Sequence, residues 1–558
     1  MKRCVDSALT LLAVAGLLQV SLAAAQAVNP YGQAQADVRQ KAALPSAAEL
    51  ENAGAVIGDI VIDAQNIFDL NDPKEDKALF RTANRIRIKT RDGVIRQQLL
   101  FRSGDRYSQR LLEESARILR SARYLYDASV RPIAWHDGRV DVLVTTRDVW
   151  TLNPGLSFGR HGGANTYGFE LEELNILGTG TSLSLSRKSG IDRDATLVEY
   201  KNPHLAGTWA SLMARYSNNS DGSLRRLDVD RPFYALDSHW AAGGLASDDD
   251  RVDSLYDRGK VVDQFRVHEK SAQAYWGWSR GLENGWTRRW RVGATFDEHD
   301  FAVARGWTGA TVLPEDRKFA YPWLSFELIE DEFGEFSNRD QIGRTEDFYL
   351  GTRLQASIGW ADSALGSDRS ALMFKTSLGR GIGHTERSTL LLRSSVAGRL
   401  EDGELRDTVL DASARYYIKQ SSHRLFFTTL EASTGRKLDL DDQLLLGGDN
   451  GLRGYPLRYQ GGTSRALFTA EQRYFTDWYP FRLFRVGAAA FVDIGRTWGD
   501  TPVSTRSLGL LKDIGIGLRI GNSRSGLGNI VHVDLAIPLD GDSSIKNVQF
   551  LVETKERF

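Results

Sequence analysis

The feature that most restricts this chain is a change of period. Beyond Trp150, apolar residues recur at every second position and helical spacing disappears. In "RVGAAAFVDIGRTW" one face carries Val486, Ala488, Ala490, Val492 and Ile494, and the other carries Gly487, Ala489, Phe491, Asp493 and Gly495. "KDIGIGLRIGN" sets Ile514, Ile516, Leu518 and Ile520 against Asp513, Gly515, Gly517 and Arg519. "NIVHVDLAIPLD" and "FYLGTRLQASIGWA" repeat the pattern. A period of two belongs to β-strands with unlike faces. By itself it fits any half-buried antiparallel sheet, a soluble sandwich included.

Three observations favour a barrel in a membrane. The alternating runs are about ten residues long, enough to cross a bilayer at a tilt. Charges sit mid-strand opposite the apolar face, as Asp493, Arg519, Glu471 and Arg473 do, which suits a polar lumen. Twelve of the 13 tryptophans lie at or after Trp150, which suits aromatic girdles at two interfaces. Residues 150–558 number 409; at roughly 25 residues per strand and connection they predict about sixteen strands, an even number. Ser247–Asp257 and Asp402–Asp407 are hydrophilic and read as extracellular loops.

The N-terminus agrees with export. Lys2 and Arg3 precede an apolar stretch from Ala8 to Leu22, followed by Ala-Ala-Ala-Gln-Ala at 23–27. This reads as a signal peptide over 1–27, with a short N-terminal anchor helix as the alternative. Cys4, the one cysteine, falls in that leader, so the mature chain has no disulfides. No later segment reaches the ~20 apolar residues of a membrane helix. Basic and acidic residues balance at 71 and 72, which gives no reason to expect a nucleic-acid partner.

Residues 28–54 read as a flexible lead-in rich in Ala and Gln, with a short helix somewhere in 42–52. Residues 55–149 have the texture of a small α/β domain. "VIGDIVIDAQNIF" (56–68) has strand character, Thr90 can cap a helix over 91–101, and Ser108 can cap "QRLLEESARILRSARYL". Strands over 126–136 and 139–150 follow, joined through His136-Asp137-Gly138, a hairpin signal. The expected order is β-α-α-β-β.

That module, placed ahead of such a barrel, resembles the BamA/TamA superfamily of POTRA-bearing outer-membrane β-barrel proteins. "FRSGDRYSQRLLEESARILRSARYLYDASVRP" (101–132) is similar to the POTRA pattern, and "ELEELNILGTG" (170–180) to a segment of the family's early barrel strands. "GLRGYP" (451–456) is similar to the family's Arg-Gly-Tyr/Phe motif in the sixth extracellular loop, and "FVDIG" (491–495) to its Phe-x-Asp-x-Gly strand. The resemblance implies a mainly β fold, a transmembrane antiparallel β-barrel of about sixteen strands over 150–558, preceded by one periplasmic POTRA-like domain over 55–149. It also implies that the motif loop folds into the lumen, with Arg453 of the Arg453-Gly454-Tyr455 triplet paired to Asp493, and Glu471 as a second acid. The alternative is a solvated loop arginine. Phe558, an aromatic last residue, and Phe550 are expected to face outward on the final strand as its C-terminal signal.

The implied function is assembly, insertion or translocation of proteins at the outer membrane of a Gram-negative bacterium, with the N-terminal domain in the periplasm. Partners would be the outer-membrane lipid bilayer and unfolded or exported client proteins, with accessory assembly subunits in addition. A dedicated two-partner-type secretion transporter and a passive pore are the alternatives. The first barrel strand, within 151–163, and the last, 548–558, would form the seam, weakly paired or merely frayed. No catalytic, cofactor or metal constellation stands out: the nine histidines lack ligand spacing, and "GNSRSG" (521–526) departs from a nucleophile elbow.

Overall fold

The computed structural model describes residues 44–558 apart from 310, 386, 502, 504–507, 527–528, 542–544 and 556. The expected leader and most of the lead-in lie outside the described residues.

Four helices and three strands build the N-terminal unit: α1 (Ala47–Asn52), β1 (Val56–Gln65), α2 (Ala78–Ile86), α3 (Asp92–Gln97), α4 (Gln109–Ser121), β2 (Leu125–His136) and β3 (Arg139–Asp148). The sheet order is β1-β3-β2, with β1 parallel to β3 and β2 antiparallel to it. β2 turns into β3 through Asp137 and Gly138, both at positive φ, the conformation a tight hairpin demands. On α4, Leu112, Ala116 and Leu119 recur at helical spacing and bury against Ile57, Val140, Val142 and Val144. Two expected caps fail. The Ser108 side chain makes no capping hydrogen bond to α4, and the Thr90 hydroxyl is drawn inward to Asp148 at 2.9 Å. A short hydroxyl side chain bonds the nearest strong acceptor, and here that is a buried carboxylate. α2 was not anticipated: it is only nine residues long and has no side-chain cap to mark its start.

The rest closes into a barrel of 20 antiparallel strands, which corrects the expected sixteen. The estimate failed because connections are short: several outer turns, such as Gly162-Gly163 and Arg258-Gly259, hold two residues. The first six strands (152–231) are 8 to 10 residues long. The next three, Trp240–Asp257, Lys260–Glu283 and Trp286–Val303, run 18, 24 and 18 residues. Ser247–Asp257, expected as a loop, is therefore strand. Its charges are satisfied within the sheet: Arg251 bonds Asp249 at 2.7 Å, Asp253 at 2.9 Å and Glu269 at 2.9 Å, and His268 meets Asp248 at 3.0 Å. Asp402–Asp407 is likewise only a turn at Asp402-Gly403 that opens into strand Glu404–Lys419.

The alternation maps onto the wall. Ile516, Leu518 and Leu535 are exposed on the outside, while Asp513, Arg519 and Asp534 are fully buried inside. Trp276, Trp278 and Trp290 stack along the outer wall with centroids 5.3 and 6.4 Å apart, and the Arg231 guanidinium lies 3.5 Å from the Trp240 ring. These rings mark the end of the wall nearest the N-terminal unit.

The two parts share a core. Leu174, in the turn between the second and third barrel strands, is 4% exposed and packs among the N-terminal core residues. Around it, Asn175 donates to the Thr90 hydroxyl at 2.9 Å, and Arg91 N–H to the Gly178 carbonyl at 3.0 Å. Arg123 bonds both oxygens of Glu172 at 2.9 and 3.0 Å. "ELEELNILGTG" is thus the joint between domain and barrel. Leu119→Ala should cost the N-terminal unit about 2–5 kcal/mol, seen as faster amide exchange over 47–148, with the barrel still shifting its gel mobility on heating.

A buried latch and an open seam

The segment between barrel strands Arg424–Arg436 and Ser464–Phe475 begins and ends as a small hairpin, Leu444–Leu446 with Gln460–Gly462. Its centre dips into the lumen. This is the eighth of ten outer turns, where the resemblance placed the sixth; counted from the C-terminus it is third in both cases, so the four additional strands precede it.

Arg453 sits at the tip and is 6% exposed. Its Nε and Nη2 donate to the two oxygens of Asp493 at 2.7 and 2.8 Å, and Nη1 donates to Glu471 at 2.8 Å. The guanidinium lies 3.4 Å from the centroid of Phe491. A planar fork on a carboxylate, over an aromatic face and shielded from water, is the strongest arrangement an arginine makes. The acids are themselves oriented: Thr469 Oγ1 donates to Asp493 at 2.7 Å, and Arg473 Nε to Glu471 at 2.9 Å. Farther along the wall Arg519 pairs with Asp534. Gly454 donates its N–H to Asp513 at 3.0 Å, and a Cβ there would stand 2.6 Å from the Asp513 Cβ. Tyr455 is fully buried, its hydroxyl donating to the Lys512 carbonyl at 2.8 Å. The five residues singled out in the motif loop and its facing strands therefore come together.

Arg458, in the same loop, has a partner that its sequence context did not suggest. It bonds both oxygens of Asp192 at 2.6 and 2.7 Å. Its guanidinium lies 4.3 Å from the Tyr256 ring, and the Tyr256 hydroxyl donates to Asp192 at 2.8 Å. Asp192 lies in the outer turn between the third and fourth strands, and the facing Arg458 holds its carboxyl below the usual carboxylate range. Arg458 has φ +51°, a conformation unusual for arginine, which these contacts hold in place. The loop thus ties the C-terminal wall to the N-terminal strands across the lumen. The Arg458 and Asp192 partners are 266 residues apart, and sequence spacing carries no signal of that pairing.

From the opposite end, the turn between strands Arg317–Glu330 and Arg353–Ala361 folds a second hairpin, Phe333–Ser337 with Thr345–Tyr349. Ile342 and Phe348 pack among Tyr417, Phe427, Phe475 and Phe558. Tyr126 of β2 donates to the Gly343 carbonyl at 2.9 Å, and Arg120 grips Asp347 at 2.8 and 2.6 Å.

The barrel closes between its last strand, Gln549–Lys555, and its first, Leu152–His161, and among the described residues one register pair joins them, Val552 with Arg160. The first strand pairs with the second over ten positions. Leu156 is consequently 90% exposed. His161 Nδ1 meets Glu553 Oε1 across the junction at 2.8 Å. Phe550 faces outward, but Phe558 does not: it is 4% exposed, packs on Phe475 with centroids 4.8 Å apart, and donates its N–H to the Asp340 carbonyl at 2.7 Å. The expected outward series breaks because the tail leaves the ladder after Lys555 and turns into the aromatic cluster.

Glu269, Asp297 and His299 offer ligand atoms within 4.8 Å of one another. Arg251 donates to Glu269 at 2.9 Å and Arg317 to His299 at 3.2 Å, so arginines serve these groups and the cluster belongs to the wall's ion pairs.

With this geometry in hand, comparison with known families matches residues 351–555 to the Omp85 superfamily domain. Residues 351–555 carry an Omp85 superfamily domain. The matched residues hold the motif loop, both of its acids and the closing strand. Among solved structures the chain is similar to BamA from Haemophilus ducreyi lacking POTRA domains 1–3, at 14% identity, 90% of this chain and 84% of that one, TM-score 0.38. It is similar to CdiB from Escherichia coli at 13% identity, 90% and 77% coverage and TM-score 0.47, and to CdiB from Acinetobacter baumannii at 13%, 90% and 73%, and 0.43. No curated protein sequence matches it.

Arg453→Ala should destabilise the folded barrel by about 3–5 kcal/mol, because two buried carboxylates lose their cation; thermal melting in detergent reads this, and Arg453→Lys should recover only part. Arg458→Ala should cost about 1 kcal/mol or less, the ordinary worth of a partly exposed pair. Because the folded Asp192 titrates below its unfolded value, the stability it supplies is present at neutral pH and lost only as pH falls through its folded pKa, below the usual carboxylate range. The melting difference between wild type and Arg458→Ala should therefore be flat from neutral pH down to the ordinary carboxylate pKa, and vanish in strong acid.

Proposed function

We propose that this Omp85 protein inserts or translocates client polypeptides at the outer membrane through the seam between its first and last strands. One observation carries the reading: among the described residues, the ladder that seals every other junction is reduced here to Val552 with Arg160. Continuing that register, Phe558 would stand opposite Pro154, but the tail is folded inward and the lower half of the first strand keeps an unpaired edge. Unpaired backbone in hydrocarbon is unfavourable, so an arriving strand that supplies N–H and C=O groups gains directly from pairing there. Pro154 lacks a donor of its own and weakens that edge further.

In this reading residues 55–149 are a single POTRA-like domain in the periplasm, and 1–27 the leader that exports the chain. β1 and β2 flank the central β3, so each has an outer edge. The start of β2 lies against the lumenal hairpin through Tyr126 and Asp127, whereas its outer half, with Trp135 44% exposed, is open to an extended client segment. Arg453, Gly454 and Tyr455 with Asp493 and Glu471 act as a latch that fixes the loop while the seam moves. Phe550 and Phe558 form the C-terminal signal, Phe550 toward lipid and Phe558 as an inward anchor. A passive pore is disfavoured, because the motif loop occupies the lumen from one end and the 331–352 hairpin enters from the other.

Arg160→Cys with Val552→Cys should form a disulfide across the seam. Oxidised protein in proteoliposomes should lose most of its ability to fold a client barrel, and reductant should restore it. Full activity of the locked form would rule out the seam as the route. Depletion followed by outer-membrane proteomics then separates general insertion, a broad loss of barrels, from service to one exported protein.

A further inference from the structure

Below the barrel rim, on the side of its C-terminal strands, the surface joins exposed apolar side chains to a concentration of basic ones. α2 buries Phe80 and Asn84 toward the domain and exposes Leu79 at 73% and Ile86 at 61%. Leu79 and Ile86 are seven residues apart and so share one helix face. Between residues 74 and 89, Lys74, Lys77, Arg81, Arg85 and Lys89 are exposed, against Asp76 as the one exposed acid. A short amphipathic helix with apolar side chains on one face and basic ones around it suits a membrane surface.

The helix is held where such a surface must be. The turn between barrel strands Ser464–Phe475 and Phe484–Trp498 stands at the rim, and it exposes Trp478 at 65% and Phe481 at 77%. Two residues on, Leu483 packs with Ile67, Phe68 and Phe80. Arg482 donates to Asp72, just ahead of α2, at 2.8 Å. Phe481 and Arg482 both hold positive φ, at +55° and +56°, which places the ring outward and the guanidinium inward. A second tether, Arg524 with Glu75, lies at the neighbouring rim turn, and Arg524 also covers Phe68 at 4.9 Å. The helix and a membrane-edge turn are thus fastened together, each with large apolar groups uncovered.

We propose that α2 and the 476–483 turn form one lipid-docking surface that rests on the inner, phospholipid leaflet beside the barrel, with Leu79, Ile86, Trp478 and Phe481 entering the headgroup layer and the basic residues meeting anionic phospholipid. Charge complementarity and continuity with the lipid-facing wall argue for a membrane as the occupant, since anionic headgroups attract basic side chains within about a Debye length of ~10 Å. The inference rests on the reading of the N-terminal unit as lying on the periplasmic side of a membrane-spanning barrel.

The sole cysteine, Cys4, falls in the expected leader, so single-cysteine variants of the full chain are straightforward. Leu79→Cys, Ile86→Cys, Val61→Cys and Ile516→Cys would each carry an environment-sensitive fluorophore in nanodiscs of phosphatidylethanolamine and phosphatidylglycerol. Ile516 is on the barrel wall at 62% exposure and Val61 on β1 at 46%. A nitroxide-bearing lipid should extinguish most of the emission at 79, 86 and 516 and spare 61. Quenching at 516 but not at 79 or 86 overturns the docking surface and leaves the barrel intact. Loss of quenching at 516 as well would instead overturn the membrane-spanning reading beneath it. Shielding of 79 from aqueous iodide without lipid quenching would mean that a protein covers the face, and also overturns the proposal. In phosphatidylcholine discs quenching at 79 and 86 should fall; equal quenching in neutral and anionic discs would overturn the role of the basic residues.

Discussion

Inside a bilayer no water is available to an unpaired backbone group, and that single constraint governs this molecule. It is why the alternating segments close on themselves, why their turns can be as short as two residues, and why the one poorly paired junction is the place to look for function. Among the described residues, twenty strands satisfy one another around the ring except where Gln549–Lys555 meets Leu152–His161. The first strand is short, holds Pro154, and faces a last strand whose tail leaves the ladder. The aromatic cluster that receives Phe558 therefore does two things at once: it closes the lumen-side hairpin against the wall, and it withholds a tail that would otherwise extend the pairing.

The lumen is organised by charge in the way the ring is organised by hydrogen bonds. Arg453 of the loop, with Arg473 and Arg519 of the wall, pairs with Glu471, Asp493 and Asp534 on three strands of the wall. Desolvating these groups is expensive, and their net effect on stability is small beside the specificity they impose, because only one depth and rotation of the loop brings the Arg453 fork onto Asp493. Arg458 fixes the other end of the loop at Asp192. With both made, the loop has one seat, and it spans strands from the two sides of the seam.

Much of this was legible before any coordinates. A dyad pattern survives in sequence because lipid on one side and charge on the other leave little freedom, so Ile514, Ile516 and Leu518 declared their face, and Asp513 and Arg519 theirs. Asp493 could be named as a partner of Arg453 through the motif resemblance. Strand number was less accessible, since it depends on turn length, and charged runs such as Ser247–Asp257 look like loops until cross-strand partners are supplied by Arg251 and Glu269. Phe558 was misplaced for a related reason: parity along a strand predicts a face only while the strand continues. The Arg458–Asp192 pair and the Thr90–Asp148 bond join residues remote in sequence, and local pattern has no access to them.

Leu174 has a consequence of another kind. A side chain from a barrel turn completes the interior of the preceding domain, so neither piece has a finished boundary without the other. A chimera that exchanges residues 55–149 for a relative's domain would leave a hole where Leu174 entered, or a leucine with nowhere to go. The transferable unit therefore ends after Gly180, beyond the first two strands of the barrel, and the border drawn by architecture differs from the border drawn by packing.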